Sequence, residues 1–207
     1  MLEIKNLDVS VEDKQIIKNL NLKIGPGEVH AIMGPNGSGK STIAHTLAGT
    51  PKYLVESGNV EFKNEDLIAK DPYERSLLGL FLAFQYPIEL PGVTNASYLK
   101  QILNAHRKSC GENPIDAGEF LKILKEKSKN LNIPMDMHSR FVNAGFSGGE
   151  KKKNEVLQMD LLDPSLIIMD ETDSGLDVDA LKSTSEAVNK LRAVSYTHLT
   201  LPTKQDV

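Results

Sequence analysis

The stretch GPNGSGKST, residues 34–42, decides the fold class of this chain. It fits the spacing G-x-x-x-x-G-K-S, with Gly34, Gly39, Lys40 and Ser41 at the defining positions. A short apolar run, EVHAIM, precedes it and predicts a buried strand, and the residues that follow predict a helix. This spacing forms a phosphate-binding loop when it links a strand to a helix, so that interpretation is favoured over a flexible glycine turn.

Each residue type in the loop has a chemical reason. Glycines let backbone amides approach phosphate oxygens, because no Cβ stands in the way. Lys40 supplies positive charge to the outer phosphates, and Ser41 offers a hydroxyl to Mg²⁺. The predicted helix, from Lys40 to Ala48, adds the partial positive charge of its N-terminus. The predicted nucleotide contacts in this loop are Gly34, Pro35, Asn36, Gly37, Ser38, Gly39, Lys40, Ser41 and Thr42.

A second apolar run, LIIMDE at residues 166–171, predicts a buried parallel strand that ends in two carboxylates. Asp170 suits a Mg²⁺ site shared with Ser41, and Glu171 suits polarising a water for attack on the γ-phosphate. The alternative is a solvated acidic turn after a core strand. The presence of a phosphate loop in the same chain favours the metal and water roles over it. Gln85 ends the apolar run LLGLFLAFQ, so it is assigned both to the metal set and to the catalytic pair with Glu171. On spacing alone, a simple polar residue at a strand end is an equal alternative for Gln85.

Composition excludes several classes of function. The chain has 207 residues, of which 40% are hydrophobic and 25% are charged, and its net charge is −4. This balance predicts neither a nucleic-acid partner nor direct membrane insertion, and no apolar stretch approaches the roughly 20 residues of a bilayer span. The apolar alternation starts at Leu2, so no targeting peptide is expected. The single cysteine, Cys110, favours a reducing, cytoplasmic location and cannot form a four-cysteine cluster site within the chain.

The pattern along the chain predicts an α/β fold. We expect a P-loop NTPase core with a mostly parallel sheet, an N-terminal antiparallel β part and an inserted helical subdomain. The core is assigned to residues 1–86 and 145–192, and the helical subdomain to residues 87–144. Residues 193–207 form an atypical tail with neither a helical period nor a clear strand.

The stretch FSGGEKKKNEVLQM, which begins at Phe146, has the spacing of a capped helix start. Ser147 and Glu150 are spaced as a capping box, yet Gly148 and Gly149 lie between them and weaken a helix. Together with the preceding motifs, in this order, FSGGE resembles the signature sequence of the ATP-binding-cassette ATPases. SGLD, residues 174–177, resembles the D-loop of that family.

The resemblance implies that ATP and Mg²⁺ are bound between two copies of the chain arranged head to tail. One copy contributes the phosphate loop, and the other contributes the signature helix. On that basis Ser147, Gly148, Gly149 and Asp177 join the predicted nucleotide contacts. The glycines then have a reason, because their amides face the γ-phosphate carried by the partner while Ser147 caps the helix.

A narrower resemblance rests on AFQYPIELPGV, NAGFSGGEKKKNEVLQM and DETDSGLDVDALK. These stretches are similar to the branch of the family that serves the Suf iron–sulfur cluster assembly system. That resemblance implies ATP hydrolysis that drives shape change in SufB–SufD-type scaffold proteins, with the cluster built on those partners and none bound by this chain. The lysines at 151–153 are equally well explained as a solvated helix face.

Two alternatives stay open from the sequence. The same nucleotide site would serve the ATP-binding subunit of a membrane ABC transporter, because a fold does not name the coupled machine. The atypical tail leaves room for a truncated, inactive fragment, since residues 193–207 resemble read-through or frameshifted sequence. His198 follows Arg192 too closely for an intervening strand, so it matches the family's switch histidine poorly and is assigned no role.

Overall fold

The structure is a computed structural model that describes residues 1–170 and 197–201, the latter as backbone only. The described residues form two compact units. The first unit comprises residues 1–85, 164–170 and 197–201, and the second comprises residues 86–163.

The first unit is built on strands, with helices supporting the phosphate loop. Its elements, in chain order, are β1 (Leu2–Val11), β2 (Lys14–Ile24), β3 (Val29–Ala31), α1 (Lys40–Ala48), β4 (Tyr53–Phe62), β5 (Glu65–Asp66), α2 (Pro72–Leu77), β6 (Leu80–Ala83), β9 (Leu166–Asp170) and β10 (Thr197–Leu201). The second unit contains β7 (Leu90–Thr94), α3 (Asn95–Ser109), α4 (Ala117–Asn130), a 3₁₀ turn (Met135–Ser139), β8 (Phe141–Val142) and α5 (Gly148–Leu162).

Two sheets of different type confirm the predicted fold class. The first has the strand order β2-β1-β4-β5 and its neighbouring strands are antiparallel. The second has the order β3-β10-β9-β6 and its neighbouring strands are all parallel. Parallel strands buried on both faces read as continuous apolar runs, and Leu166, Ile167 and Ile168 of β9 are fully buried.

The carboxyl ends of the parallel strands meet at one edge of the sheet. Ala83 of β6 pairs with Met169 of β9, so Gln85, two residues after β6, and Asp170, the last residue of β9, lie at the same edge. This edge receives the phosphate loop, which leaves the end of β3 at Ala31. In open α/β sheets, ligands bind at this carboxyl edge.

The sequence does not predict β10, which lies between β3 and β9 in the middle of the parallel sheet. The stretch Thr197–Leu201 alternates polar and apolar residues over too short a length to stand out. His198 pairs with Ile167, three positions before Asp170 along β9, while Leu201 pairs with Asp170. The backbone of His198 is therefore about 10 Å from the carboxyl edge along the strand direction.

The helix after the phosphate loop has the predicted bounds, Lys40 to Ala48. It ends at Gly49, whose left-handed φ of 80° only glycine adopts easily. The buried Arg75 of α2 donates to the carbonyls of Thr46 and Leu47 at 2.7 and 3.1 Å, which satisfies the last turn of α1. A cation at this end also complements the helix dipole.

A separate apolar core holds the second unit together. Its buried residues are Leu99, Leu103, Ile115, Phe120, Leu124, Ile133, Met137, Phe146, Leu157 and Leu161. The helical spacing in α3 and α4 predicts the first part of this set. Because α5 contributes Leu157 and Leu161, contacts group that helix with the second unit, whereas the sequence-based division places residues 145–192 in the ATP-binding core.

A small ribbon of β7 and β8 in the second unit is absent from the sequence prediction. Pro91 and Gly92 lie inside β7, and these residues weaken a strand signal. Leu90 pairs with Val142, and Thr94 pairs with Phe141. Within residues 1–170 and 197–201, no helix is long and apolar enough to cross a bilayer.

Candidate nucleotide site

The phosphate loop has a backbone that its glycines make possible. Gly37 and Gly39 have φ values of 78° and 97°, in the left-handed region that favours glycine. A Cβ at Gly39 would lie 3.2 Å from the Cγ2 of Ile16, and one at Gly34 would lie 2.9 Å from the Oγ of Ser38. The chain therefore folds tightly at Gly34 and Gly39, where a side chain would meet its neighbours.

Lys40 is folded back over the loop. Its ammonium donates to the carbonyl oxygens of Gly34 at 2.9 Å and of Pro35 at 3.1 Å, and the residue is only 5% exposed. A buried ammonium needs oxygen partners, and carbonyl and phosphate oxygens can both accept hydrogen bonds from it. The assignment of Lys40 to the phosphates of a nucleotide stays a prediction.

Ser41 and Asp170 are brought together by the fold. The Ser41 hydroxyl donates to Oδ1 of Asp170 at 3.0 Å, and Asp170 is 3% exposed. Neighbouring ligands of an octahedral Mg²⁺ are about 3 Å apart, because each lies about 2.1 Å from the ion. The pair therefore fits a Mg²⁺ held by one hydroxyl, one carboxylate, phosphate oxygens and water.

Gln85 lies beyond the end of β6, at the same sheet edge as Asp170, and is half-buried. The structure thus groups three predicted residues at this edge, namely Gln85, Asp170 and Ser41 of α1. Their assignment to metal and water stays a prediction. Glu171 and Asp177, the predicted base and D-loop residue, lie outside the described residues.

His45 packs behind the phosphate loop in the first unit. Its ring stacks on Tyr53 with centroids 5.0 Å apart, and Phe84 lies 6.2 Å away. Burial lowers the pKa of His45, against the opposing effect of the Asp170 carboxylate. These contacts describe a packing residue, in agreement with the absence of a ligand spacing around it in the sequence.

The signature helix, α5, begins with the capping box that the sequence predicts. The Ser147 hydroxyl accepts from the amide of Glu150 at 3.2 Å, and Glu150 accepts from the amide of Ser147 at 2.7 Å. Within the described residues, the amides of Gly148 and Gly149 are then the donors of the first turn of α5 that have no acceptor in the helix. Ser147 and Gly148 are exposed, so this helix end is open to a second molecule.

Sequence reasoning missed the side chains that support these sites. Arg75 holds the end of α1, Arg140 contacts the loop before α5, and Asn95 joins a buried polar network with His138. Their partners are far away in the sequence, or lie in loops without a spacing rule.

Comparisons with known proteins agree with this geometry. The family model described as ABC transporter matches residues 17–174, so the chain belongs to the ABC family and is an ATPase of the ABC type. It is 55% identical to "Probable ATP-dependent transporter SufC" of Escherichia coli (strain K12) over 93% of its own length and 77% of that protein. It is also 50% identical to "Probable ATP-dependent transporter slr0075" of Synechocystis sp. over 93% of its length and 75% of that protein.

Solved structures show the same fold at low sequence identity. The dimeric post-hydrolysis state of the ATP-binding cassette MJ0796, bound to ADP and Pi, has a TM-score of 0.81 and 22% identity. That match covers 98% of this chain and 88% of the solved one. The dimeric structure of MJ0796, a bacterial ABC transporter cassette, has a TM-score of 0.80 with 97% and 88% coverage, also at 22% identity.

Proposed function

We propose that this chain is the Mg²⁺-dependent ATPase subunit of a Suf-type iron–sulfur cluster assembly machine. In this role two copies bind ATP head to tail, and hydrolysis changes the shape of SufB–SufD-type scaffold partners in the cytoplasm. The observation that carries the proposal is the 55% identity to SufC over 93% of the chain, combined with the Ser41–Asp170 pair beside the phosphate loop.

The proposed reaction is in-line hydrolysis of the terminal phosphoanhydride. The amides of the loop and Lys40 hold the β- and γ-phosphates, and Mg²⁺ bound through Ser41 and Asp170 would neutralise charge on their oxygens. Glu171 accepts a proton from the attacking water, and Gln85 orients that water. The water oxygen bonds to the γ-phosphorus as the bond to the bridging oxygen breaks, and ADP and phosphate leave.

The open end of α5 is the basis for the proposed dimer. The amides of Gly148 and Gly149 lie at an exposed helix N-terminus, where an anion is favoured. In the proposed dimer, the phosphate loop of one chain contacts one side of the γ-phosphate. The oxygens on the other side are then available to a second molecule. In the head-to-tail arrangement, the second copy presents its signature helix to that side.

An exposed apolar surface in the second unit suits the scaffold partner. Tyr86 and Ile88 are 77% and 62% exposed, and they lie one and three residues after the predicted catalytic Gln85. The other exposed apolar residues of this surface are Leu90, Val93 and Phe141 of the β7–β8 ribbon. Contiguous exposed apolar side chains commonly mark protein-binding surfaces.

The same surface is tied to the signature helix. Lys151 of α5 forms an ion pair with Glu89 at 2.8 Å, and the Asn143 side chain donates to the Ile88 carbonyl at 2.8 Å. Movement of a partner bound at Tyr86 and Ile88 would therefore be passed to α5. The cluster itself is proposed to reside on the partners, since Cys110 is the single cysteine of the sequence.

The test measures phosphate release from Mg²⁺-ATP by the purified chain, alone and with a purified SufB–SufD complex. We expect stimulation by the complex, and no activity in Lys40→Ala under either condition. A double substitution, Tyr86→Ser with Ile88→Ser, should remove the stimulation and leave the basal rate. Basal activity without any response to SufB–SufD would favour the transporter subunit, and no turnover under any condition would favour the inactive fragment.

A further inference from the structure

Arg140 makes several contacts with the loop that leads into the signature helix. Its Nη1 donates to Oε1 of Glu150 at 3.0 Å, and its Nη2 donates to the carbonyl of Gly145 at 2.7 Å. Its guanidinium also lies 4.4 Å from the ring centroid of Phe146. One planar group therefore contacts the loop on both sides of Ser147.

The base of this side chain is itself fixed. The Arg140 amide donates to the carbonyl of Met137 at 3.3 Å, and its carbonyl accepts from the amide of Asn95 at 2.9 Å. Arg140 lies between the 3₁₀ turn and β8, so both of its flanks belong to ordered elements. A guanidinium on such a base can hold a loop in one shape at low entropic cost.

The capping box creates an electrostatic problem that Arg140 addresses. Glu150 is needed to accept from the amide of Ser147, and that hydrogen bond, aided by Arg140, lowers the pKa of Glu150. The ionised carboxylate then lies in the helix turn whose amides would receive a phosphate. Two anions at one helix end repel each other, and a cation bonded to the first reduces that repulsion.

We propose that Arg140 is a positioning residue for the signature site, which shapes the Gly145–Ser147 loop and neutralises Glu150 so that the α5 amides accept the γ-phosphate of a second copy. This inference rests on the proposed dimeric function. In this proposal Arg140 has a role at the shared site only, and none in the binding of nucleotide by a single chain. Its loss should therefore impair dimer formation and leave binding of nucleotide to the monomer intact.

The experiment uses the full chain with Glu171→Gln, in which slow hydrolysis preserves the ATP-bound state. The ATP concentration for half-maximal dimerisation is measured by light scattering, and affinity for ADP is measured by titration calorimetry. We expect Arg140→Gln to raise the half-maximal ATP concentration about tenfold, the effect of one charge-assisted hydrogen bond. We expect its ADP affinity to stay within about twofold of that of the parent. A twofold change corresponds to less than half of the free energy of a tenfold change.

Arg107→Gln is the matched control. Arg107 also lies in the second unit and also bonds a carboxylate and a carbonyl, those of Glu112 and Asn113, but at the opposite end of α3. A dimerisation curve for Arg140→Gln that coincides with that of Arg107→Gln would overturn the proposal. A shift in Arg140→Gln together with an unshifted Arg107→Gln curve supports it.

A second pair of variants separates charge from folding. Adding Glu150→Gln to Arg140→Gln removes the uncompensated anion while keeping an oxygen for the Ser147 amide, so part of the dimerisation should return. A double variant as defective as the sum of its single variants would overturn the electrostatic role. If Arg140→Gln does not fold, Arg140→Lys replaces it, because lysine keeps the charge but lacks the planar guanidinium with its several donors. A dimerisation curve like that of the parent would overturn the positioning role. A raised half-maximal ATP concentration would support it.

Failure of the dimeric function would look different. The parent chain would then show no ATP-dependent dimer at any concentration, and Ser147→Arg, which blocks the helix end, would change nothing. A parent that dimerises, and that loses dimerisation in Ser147→Arg, establishes the signature site independently of Arg140.

Discussion

Acid should destabilise the second unit through a single buried histidine. His138 is 3% exposed, its Nδ1 accepts from the Asn95 amide at 3.2 Å, and its Nε2 lies 2.8 Å from the Ser128 hydroxyl. Because an amide nitrogen only donates, Nδ1 carries no proton and the neutral ring donates through Nε2. A proton on Nδ1 would face the Asn95 donor, so the network selects the neutral form.

The sign and size of the effect follow from this geometry. Burial lowers the pKa of His138 in the folded state, against a smaller opposing effect of Asp136. The unfolded chain takes up a proton near pH 6.5 and the native state only at lower pH, so the stability that this histidine contributes is complete above that pH and falls below it. Protonation of the unfolded chain sets an upper limit of about 2 kcal/mol on the unfolding free energy that this histidine removes between about pH 7.5 and about pH 5.

The assay is urea unfolding followed by circular dichroism across that pH range, for the parent and for His138→Gln. Glutamine keeps a donor for Ser128 but loses the acceptor for Asn95, so we expect a cost of about 1–3 kcal/mol at neutral pH. The acid-dependent loss should then shrink relative to the parent, by up to about 2 kcal/mol. His106→Gln on the surface of α3 is the control, and parallel pH profiles for parent and His138→Gln would refute the reasoning.

The remaining predictions concern the nucleotide site. Lys40→Ala should lower ATP affinity by about ten- to a hundredfold, since the phosphates lose a charged donor; equal affinities in a titration would contradict the loop assignment. Glu171→Gln should bind ATP normally but release phosphate at least about a hundredfold more slowly, and an intact rate would remove its role as base. Asp170→Asn should raise the Mg²⁺ concentration needed for half-maximal turnover, measured by phosphate release, and an unshifted Mg²⁺ curve would move the metal elsewhere. Ser147→Ala should cost about 1 kcal/mol of helix stability and weaken ATP-driven dimerisation in light scattering, whereas unaltered dimerisation would count against the shared site.

Local rules explain why so much of the first unit was predictable. The helix from Lys40 to Ala48 has its predicted bounds, because Gly39 and Gly49 define both ends by their backbone conformations. The strand LIIMD is recognisable because a strand covered on both faces must be apolar throughout. In the second unit, short-range spacing also predicts the capping box of Ser147 and Glu150.

Features that depend on distant partners were not predictable. The ribbon strand β7 contains Pro91 and Gly92, and it exists because β8 pairs with it from about fifty residues away. The strand β10 has a weak pattern of its own and is held between β3 and β9. Arg140, in the same way, has no motif, because its partners are a carbonyl and a carboxylate that the fold brings to it.

The sequence by itself determined the chemistry of this protein: a loop whose glycines, lysine and serine fit phosphate and Mg²⁺, and a helix start whose glycines expose amides. These properties depend on neighbours within a few residues, where backbone geometry alone acts. Only the tertiary structure decided that Ser41 lies 3.0 Å from Asp170 and that Arg140 bonds Glu150. Such contacts arise because burial of two separate apolar cores fixes distant segments against one another, and no local pattern records which polar groups then meet.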